Sequence, residues 1–265
     1  MTSSIHPSAC VAPGARLGPR VTVSAGAVIE DDVEIGADCV IGAHAVIHRR
    51  VSMGERNQVY PHAVLGGQPQ DLGFDPLTET RVAIGDDNIF REGATVNRAT
   101  RAVAATRIGS GCFFMNNSHV AHDCVVGDRV IMATGVALGG HVTVEDGVFL
   151  GGGAMVHQFC RVGRLAMVMG LCAVVKDVIP FTMVAGARVR HFRLNTVGLR
   201  RAGIDREGLR VLSEAYRRLR RRASLEDLPM TPEVAHLKDW LAANTRRGIH
   251  GFAQPRGKNQ GERDD

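Results

Sequence analysis

A six-residue period of apolar side chains constrains the fold of this chain more than any other feature. Every sixth position from Ile5 to Leu65 is aliphatic, and every sixth position from Ile108 to Val174 is apolar. The same step continues between these blocks at Ile84, Phe90 and Val96. An α-helix repeats every 3.6 residues and a simple strand every two, so neither explains this period. A parallel β-helix of hexapeptide repeats does, and the sequence therefore predicts a mainly β solenoid.

A second repeated position, four residues after each of these apolar positions, holds small or β-branched side chains. Such residues suit the narrow interior beside a corner, where Gly, Asp and Asn form the turn, as in Val126-Gly127-Asp128. Because no two cysteines are spaced as CxxC, neither disulfides nor a metal cluster are expected. Five of the six cysteines occupy the second position as compact apolar groups: Cys39, Cys112, Cys124, Cys160 and Cys172.

The register is interrupted at residues 66–81 and 97–107. Insertions in a solenoid emerge as loops on one side, often the side that binds a ligand. The period changes after about Pro180, so we expect residues 1–190 to form the β-helix and residues 191–250 to form an α-helical C-terminal domain. The polar end, residues 251–265, is expected to be a disordered tail.

Three start signals predict helices in the C-terminal part. Ser224-Leu225-Glu226-Asp227 resembles a capping box, and Thr231 stands before Pro232, a residue that suits the first helical position. Asp205 can cap a helix with one apolar face, formed by Leu209, Leu212, Tyr216 and Leu219.

Charge and composition limit the function classes. The chain is 45% hydrophobic and 22% charged, as expected for a folded globular protein. Residues 191–265 hold 16 Lys and Arg against 10 Asp and Glu, so the positive charge is concentrated there and indicates an acidic partner or an anionic ligand. Because only 5% of residues are aromatic, stacking on single-stranded nucleic acid has little support, and no nucleic-acid partner is expected.

Signals for membranes and export are lacking in this sequence. No apolar run approaches the length of a transmembrane helix, so no membrane span is expected. The first residues lack the basic and apolar regions of a signal peptide. We therefore expect a cytoplasmic protein.

Three histidines recur with nearly the spacing of one coil. His122, His141 and His157 are separated by 19 and 16 residues, and three six-residue rungs make one triangular coil. With about 4.8 Å between neighbouring coils, the three imidazoles are expected along one edge, with His119 beside them. Solvent-facing corner residues without a function are one interpretation of this pattern. General base catalysis is another, and a zinc site of the carbonic-anhydrase type is a third.

The sequence around these histidines resembles a known family. The stretches are Asn117–Gly127, Leu138–Val142, Gly151-Gly152 and Val156–Cys160, together with the Gln70-Asp71-Leu72 loop and the segment from Asn195 to Arg201. They resemble the acyl-[acyl-carrier-protein]–UDP-N-acetylglucosamine O-acyltransferases, which catalyse the first step of lipid A biosynthesis. The resemblance implies a left-handed β-helix, a helical C-terminal domain and a homotrimer with sites between neighbours. It also implies a metal-free reaction without a cofactor, with acyl carrier protein as acyl donor and UDP-N-acetylglucosamine as acceptor.

The resemblance also implies roles for individual residues. His122 would be the general base that takes the proton from the glucosamine 3-hydroxyl, which attacks the acyl thioester. Asp123 would orient that imidazole, and the backbone N–H of Gly140 would stabilise the oxyanion. The implied substrate contacts are His119 near the acyl β-hydroxyl, Asp71, His141, His157 and Gln158 at the sugar or its phosphates, Asn195 and Arg201 at the nucleotide, and Gly170 at the end of the acyl chain.

Three positions depart from the family's pattern: Gly73 replaces a common lysine, Val197 a glutamate and Arg188 a histidine. A related transferase that acts on another nucleotide amino sugar is therefore the nearest alternative. A zinc-dependent hydratase and a non-catalytic scaffold are the others. A cluster of arginines is interpreted either as a solvated helix face or as a docking surface for the carrier protein: Arg217, Arg218, Arg220, Arg221 and Arg222.

Overall fold

The chain winds into a three-sided prism of short parallel strands. The computed structural model describes residues 3–254. The strands, in chain order, are β1 Ser4–Ile5, β2 Cys10–Val11, β3 Arg16–Leu17, β4 Thr22–Val23, β5 Val28–Ile29, β6 Glu34–Ile35, β7 Val40–Ile41, β8 Val46–Ile47, β9 Val51–Met53, β10 Gln58–Val59, β11 Val64–Gly67, β12 Arg81–Ile84, β13 Ile89–Phe90, β14 Thr95–Asn97, β15 Ala105–Ile108, β16 Phe113–Phe114, β17 His119–Val120, β18 Val125–Val126, β19 Ile131–Met132, β20 Ala137–Leu138, β21 Thr143–Val144, β22 Phe149–Leu150, β23 Met155–Val156, β24 Arg161–Val162, β25 Met167–Val168, β26 Ala173–Val174, β27 Thr182–Ala185 and β28 Arg190–Leu194.

Successive strands belong to three different sheets, so every third strand returns to the same face. Sheet 1 runs β1-β4-β7-β10-β13-β16-β19-β22-β25-β27-β28, sheet 2 runs β2-β5-β8-β11-β14-β17-β20-β23-β26, and sheet 3 runs β3-β6-β9-β12-β15-β18-β21-β24. All pairings are parallel except that of β27 with β28, which is antiparallel. The register is regular along most of the prism but shifts between Leu65 and Gly67, where β11 pairs with β14. Each coil therefore stacks on the one before it.

The predicted six-residue register forms the interior of the prism. Its side chains point inward and are buried from Val23 to Val174, while Ile5, at the open N-terminal end, is 48% exposed. The five cysteines of the second position are buried as predicted. Burial raises the pKa of Cys124 to about 12, which keeps this thiol protonated and unreactive.

Corners between strands bring the coils close together. A Cβ built on Gly127 would lie 2.9 Å from the backbone nitrogen of Asp146 in the next coil, so this corner has no room for a side chain. Other corners place a residue in the left-handed region, where Gly, Asn and Asp are tolerated best. Asp123, His141 and Phe159 all have a φ near +60° and occupy one corner of three successive coils.

The two register breaks are loops that leave the prism between paired strands. The first insertion, residues 68–80, joins β11 to β12, and the second, residues 98–104, joins β14 to β15. Both sets of strands keep their pairing across the insertions.

Three helices follow the β-helix: α1 Thr196–Arg201, α2 Arg206–Arg220 and α3 Pro232–Ala242. They form a second core with the hairpin of β27 and β28, around Phe181, Leu199, Leu212 and Trp240. The β28 strand crosses the expected domain boundary after residue 190, because sheet 1 continues to Leu194. No helix in residues 3–254 combines the length and the hydropathy needed to cross a bilayer.

Two of the three helix starts are confirmed. Asp205 caps α2 by accepting from the Gly208 N–H, and Thr231 caps α3 ahead of Pro232. The capping box at Ser224 is wrong, because its hydroxyl accepts from the Glu226 N–H in a tight turn and no helix begins there. Pro229 follows within the next turn, and the residue before a proline is pushed out of the helical region. Of the expected tail, residues 255–265 lie outside the described part of the chain.

A buried pair of histidines closes the C-terminal end of the prism. The Nε2 atom of His191 accepts from the Ile179 N–H, its Nδ1–H donates to the His250 carbonyl, and the Nε2 atom of His250 accepts from the Lys176 N–H. Burial lowers the pKa of each imidazole to about 4. Both histidines are therefore neutral in the folded state at neutral pH.

We predict that stability falls as the pH drops from about 6.5 towards 4. In this window the unfolded chain binds protons at both histidines while the folded chain does not, which costs roughly 3 kcal/mol for each group at the lower end. Urea titrations at pH 7, 6 and 5 measure the loss. His250→Gln should flatten the slope, and an unchanged slope in this variant would show that His250 does not contribute.

Candidate functional site

His122 and Asp123 form a hydrogen-bonded dyad at the corner between sheets 2 and 3. They follow β17 after Ala121, and Asp123 has a left-handed φ. The Nδ1–H of His122 donates to Oδ2 of Asp123 at 2.8 Å, and the two side chains are 14% and 10% exposed. Since Nδ1 carries the proton in this bond, Nε2 of a neutral His122 is the free basic atom.

The residue above His122 in the next coil must be a glycine. A Cβ built on Gly140 would lie 2.6 Å from Nε2 of His122, so the imidazole packs flat against the bare backbone at this point. The Gly140 carbonyl accepts from the Phe159 N–H. Among residues 3–254, the Gly140 N–H donates no hydrogen bond. This donor is therefore available beside Nε2 of His122.

Asp123 is held as a carboxylate by two donors of Thr100 in addition to His122. The Thr100 hydroxyl donates to Oδ2 at 2.7 Å, and the Thr100 N–H lies 3.2 and 3.1 Å from Oδ1 and Oδ2. The Asp123 N–H donates to the Thr106 hydroxyl. Burial would raise the pKa of Asp123, but the hydrogen bonds from Thr100 and His122 outweigh it and hold this pKa below its usual value.

His141 stands above Asp123 and beside His122. Its Nε2 lies 3.7 Å from Oδ2 of Asp123, and its ring meets the His122 ring edge-on at 5.2 Å. The Phe159 ring stacks on the His141 ring at 4.6 Å, and the guanidinium of Arg246 lies over the Phe159 ring at 4.7 Å. Burial lowers the pKa of His141, and Asp123 opposes that shift. His141 is therefore a neutral hydrogen-bonding group at neutral pH.

A cavity of about 560 Å³ lies on sheet 2 in front of the dyad. Its apolar floor consists of outward side chains from β20, β23 and β26, namely Ala137, Met155 and Ala173. Its polar rim contains His119, His122, Gly140, His157 and Gln158, together with Gln70 from the first insertion. The cavity can hold an apolar chain along the sheet while polar groups meet its head beside His122.

His119 and His157 occupy the two sides of this rim. His119 is hydrogen-bonded through Nδ1 to the Thr95 hydroxyl at 2.7 Å, one coil below. Burial, and to a smaller extent His122, lowers the pKa of His119. His157 is more exposed, and its Nδ1–H donates to the Gln158 carbonyl at 3.3 Å. The three histidines of the predicted edge, with His119, thus lie near the corner between sheets 2 and 3.

Asp71 lies in the first insertion but does not line the cavity itself. Its carboxylate accepts from the Gly73 N–H at 2.9 Å and is otherwise exposed. The insertion is fastened to the second one by Arg98, which is 4% exposed and donates to the carbonyls of Pro76 at 3.2 Å and Thr78 at 3.5 Å. Among the described residues, no carboxylate lies within ion-pair distance of this guanidinium.

Asn195 and Arg201 lie on another face of the same chain. They line a cavity of about 610 Å³ on sheet 1, formed by side chains such as Phe149 and Met167. Asn195 caps α1 by accepting from the Gly198 N–H, and its amide donates to the Leu165 carbonyl. A single chain therefore does not bring these residues to the dyad.

Gly170 and most of the arginine cluster are exposed, whereas Arg218 and Arg220 are half-buried. Gly170 forms a corner between sheets 1 and 2, where a Cβ would lie 3.1 Å from the Gly152 carbonyl oxygen. In the arginine cluster, Arg217 and Arg218 pair with Glu214, whereas Arg221 and Arg222 are exposed beyond the end of α2.

The dyad geometry also bears on the zinc hypothesis. Ligand atoms of His122, Asp123 and His141 lie within 4.8 Å of one another. Two ligands on one tetrahedral zinc stand about 3.3 Å apart, given bonds of 2.0–2.1 Å. The 2.8 Å between Nδ1 of His122 and Oδ2 of Asp123 is instead a direct hydrogen bond, so this arrangement favours acid–base chemistry.

Comparisons with known proteins give the family. The family model described as bacterial transferase hexapeptide (six repeats) matches residues 14–49 and 105–140. The model described as Udp N-acetylglucosamine O-acyltransferase, domain 2, matches residues 177–250.

Curated relatives extend the match over most of the chain. A protein of Anaeromyxobacter sp. (strain Fw109-5), named acyl-[acyl-carrier-protein]–UDP-N-acetylglucosamine O-acyltransferase, is 46% identical over 93% of this chain and 99% of its own length. A protein of the same name from Thermodesulfovibrio yellowstonii is 38% identical over 93% of this chain and 99% of its own. The chain belongs to this acyltransferase family.

A solved member has the same architecture. The UDP-N-acetylglucosamine acyltransferase from Campylobacter jejuni superposes with a TM-score of 0.87 at 33% identity, covering 94% of this chain and 100% of its own. The left-handed β-helix with a small helical C-terminal part, which the resemblance implied, is thereby confirmed.

Several residues around the dyad escaped the sequence analysis. Thr95 lies one coil below His119, but the second insertion between them hides the coil spacing. Thr100 and Arg98 lie inside that insertion, where no period places them. Phe159 could have been found, because it follows His141 by one coil.

We predict that Arg98→Leu loosens the first insertion without unfolding the prism. The change removes the charged donor to two loop carbonyls, so amide hydrogen exchange over residues 68–80 should quicken roughly 10-fold or more. Mass spectrometry of exchanged peptides measures it, with Arg107→Leu on the exposed face of β15 as the control. Equal protection in both variants would contradict a fastening role for Arg98.

Proposed function

We propose that this chain transfers a 3-hydroxyacyl group from acyl carrier protein to the 3-hydroxyl of UDP-N-acetylglucosamine, the first step of lipid A biosynthesis. The relatives are named as O-acyltransferases that use acyl-[acyl-carrier-protein] and UDP-N-acetylglucosamine. The observation that carries the proposal is the dyad, in which Asp123 fixes the Nδ1–H of His122 and leaves Nε2 free next to the Gly140 N–H.

The chemistry follows from these positions. Nε2 of His122 accepts the proton of the sugar 3-hydroxyl as its oxygen attacks the thioester carbonyl carbon. The imidazolium that forms is stabilised by Asp123, which keeps its own negative charge. When the tetrahedral intermediate collapses, the carbon–sulfur bond breaks and the thiolate of the carrier takes the proton back from Nε2. Ester and free carrier thiol are the products, and the base is regenerated.

The Gly140 N–H supports the intermediate in this proposal. Gly140 lines the same cavity as His122, and a donor aimed at the developing oxyanion contributes about 3 kcal/mol to transition-state stabilisation. Gly140 therefore has two roles: its missing side chain admits the imidazole, and its amide binds the oxyanion.

The cavity's shape matches an acyl donor. The floor of Ala137, Met155 and Ala173 suits the apolar chain, and His119 at the rim suits the β-hydroxyl of a 3-hydroxyacyl group. Gly170 stands at the corner beside this groove and limits the chain length that fits. The exposed Arg221 and Arg222 add positive charge for docking an acidic carrier protein.

The nucleotide contacts require a second copy of the chain. Asn195 and Arg201 face sheet 1, away from His122, so within one chain they cannot meet a nucleotide whose sugar lies at the dyad. We propose a cytoplasmic homotrimer in which sheet 1 of one protomer faces sheet 2 of the next. His141, His157, Gln158 and Asp71 would then hold the sugar and its phosphates against the neighbour's nucleotide contacts.

A different nucleotide amino sugar is the second candidate acceptor. It is favoured by Val197, which is 58% exposed beside Asn195 at a position where the family often has a glutamate. Mass spectrometry of the products from a panel of UDP-sugars and acyl carriers distinguishes the acceptors, since an ester and an amide differ in mass and in base lability.

We predict that His122→Ala lowers kcat by about 10²–10⁴-fold while leaving the affinity for UDP-N-acetylglucosamine nearly unchanged. The expected loss reflects the missing proton acceptor. Product formation by mass spectrometry and nucleotide binding by calorimetry measure the two effects.

His44→Ala is the matched control for this experiment. His44 also occupies a left-handed corner and stacks on another corner histidine, His62, at 5.5 Å, but on a different edge of the prism. Its replacement should leave kcat unchanged. A His122→Ala enzyme that keeps more than half of the wild-type kcat would contradict the proposed base.

A further inference from the structure

The second insertion leaves the prism directly beneath the dyad. Strand β14 pairs in register with β17, so that Val96 lies under Val120. The next residues of the lower coil therefore stand below His122 and Asp123. At this point the lower coil does not turn its corner but extends into residues 98–104.

The insertion changes how the corner at Asp123 is supported. In the two coils above, the corner N–H donates to a backbone carbonyl of the coil below: His141 to His122 at 3.0 Å, and Phe159 to Gly140 at 3.1 Å. Asp123 has no such carbonyl beneath it. Its N–H donates instead to the Thr106 hydroxyl at 2.9 Å, where the insertion rejoins β15. A side chain thus replaces a missing backbone bond.

Thr100, at the middle of the same insertion, is hydrogen-bonded to the carboxylate of Asp123. Its hydroxyl donates to Oδ2 of Asp123 at 2.7 Å, and its N–H bridges both carboxylate oxygens. Oδ2 is also the atom that accepts from Nδ1 of His122. The hydroxyl therefore fixes the position of the one oxygen on which the orientation of the imidazole depends.

The hydrogen bond from Thr100 matters because His141 is a competing donor to the same carboxylate oxygen. Nε2 of His141 lies 3.7 Å from the same Oδ2, too far for a hydrogen bond but within reach of a small rotation of the carboxylate. Without a fixed Oδ2, the carboxylate can be shared between the two imidazoles. His122 would then lose the partner that keeps its proton on Nδ1.

We propose that Thr100 is a positioning residue for catalysis, and that the second insertion exists to deliver its hydroxyl to Asp123. This inference rests on the proposed function of His122 as the base. The hydroxyl acts through Asp123, holding Oδ2 against His122 and away from His141, so that Nε2 of His122 stays unprotonated and aimed into the cavity.

The activity test compares Thr100→Val and Thr100→Ser with the wild-type enzyme. Valine keeps the size and the backbone N–H but removes the hydroxyl donor, so kcat should fall at least about 10-fold, which is part of the roughly 10²–10⁴-fold that a general base supplies. The KM for the nucleotide sugar should stay within about twofold, because Thr100 does not line the cavity. Serine restores the donor and should recover most of kcat.

Thr182→Val is the matched control. Thr182 is buried, and its hydroxyl donates to the Ile179 carbonyl at 2.7 Å, a bond of the same length outside the site. This variant loses a structural hydrogen bond, and its kcat should be unchanged at a temperature where it is folded. Equal losses in Thr182→Val and Thr100→Val, or no recovery with serine, would overturn the positioning role.

A spectroscopic readout separates this inference from the proposed function. In ¹⁵N-histidine spectra of the ligand-free wild type, His122 should show a protonated Nδ1 and an unprotonated Nε2, with His122→Ala giving the assignment. Thr100→Val should mix the two tautomers, and Thr100→Ser should not. An unchanged His122 signal in Thr100→Val overturns the inference whatever the enzyme transfers. A wild-type enzyme that transfers no acyl group, with the tautomer shift present, overturns the proposed function and retains the positioning role.

Discussion

Hydrogen bonding between successive coils is the constraint on which the site depends. Each strand pairs in register with the strand of the next coil, as Val125 does with Thr143 and Thr143 with Arg161. A residue's place along a corner is therefore fixed by its position within the coil, and neighbouring coils stand about 4.8 Å apart. Asp123, His141 and Phe159 are stacked for this reason. The backbone of the stacked coils therefore places His122 next to Asp123 before any ligand binds.

The repeat in the sequence predicted most of this framework. The six-residue period identified the inward residues correctly from Val23 to Val174, because only apolar side chains fill a narrow prism. The edge of imidazoles was also predicted, but its detail differs. With a coil of constant length, spacings of 19 and 16 residues place His122, His141 and His157 in three adjacent columns. This offset is what lets His122 have Asp123 beside it and Gly140 above it.

The residues that support the dyad could not be predicted in the same way. Thr100 and Arg98 belong to an insertion, and the period that locates every corner residue stops at its first position. Their contacts depend on the path of a loop that the core does not dictate. The helix start at Ser224 failed for a related reason: a local capping pattern is outweighed by Pro229, which ends any helix before it gains tertiary contacts. In the repeats, the number of residues between two side chains predicts where they lie in the prism. In the insertions and the C-terminal part, the position of a side chain is known only from the folded structure.

The central claim is that the stacked corner places a free imidazole nitrogen where the acceptor hydroxyl binds. A crystal structure of the protein with UDP-N-acetylglucosamine tests it most directly. We expect the sugar at the rim of the cavity on sheet 2, with its 3-hydroxyl oxygen about 3 Å from Nε2 of His122. A sugar bound with that hydroxyl turned away from His122, or seated on a face of the prism that the dyad does not reach, would contradict this account.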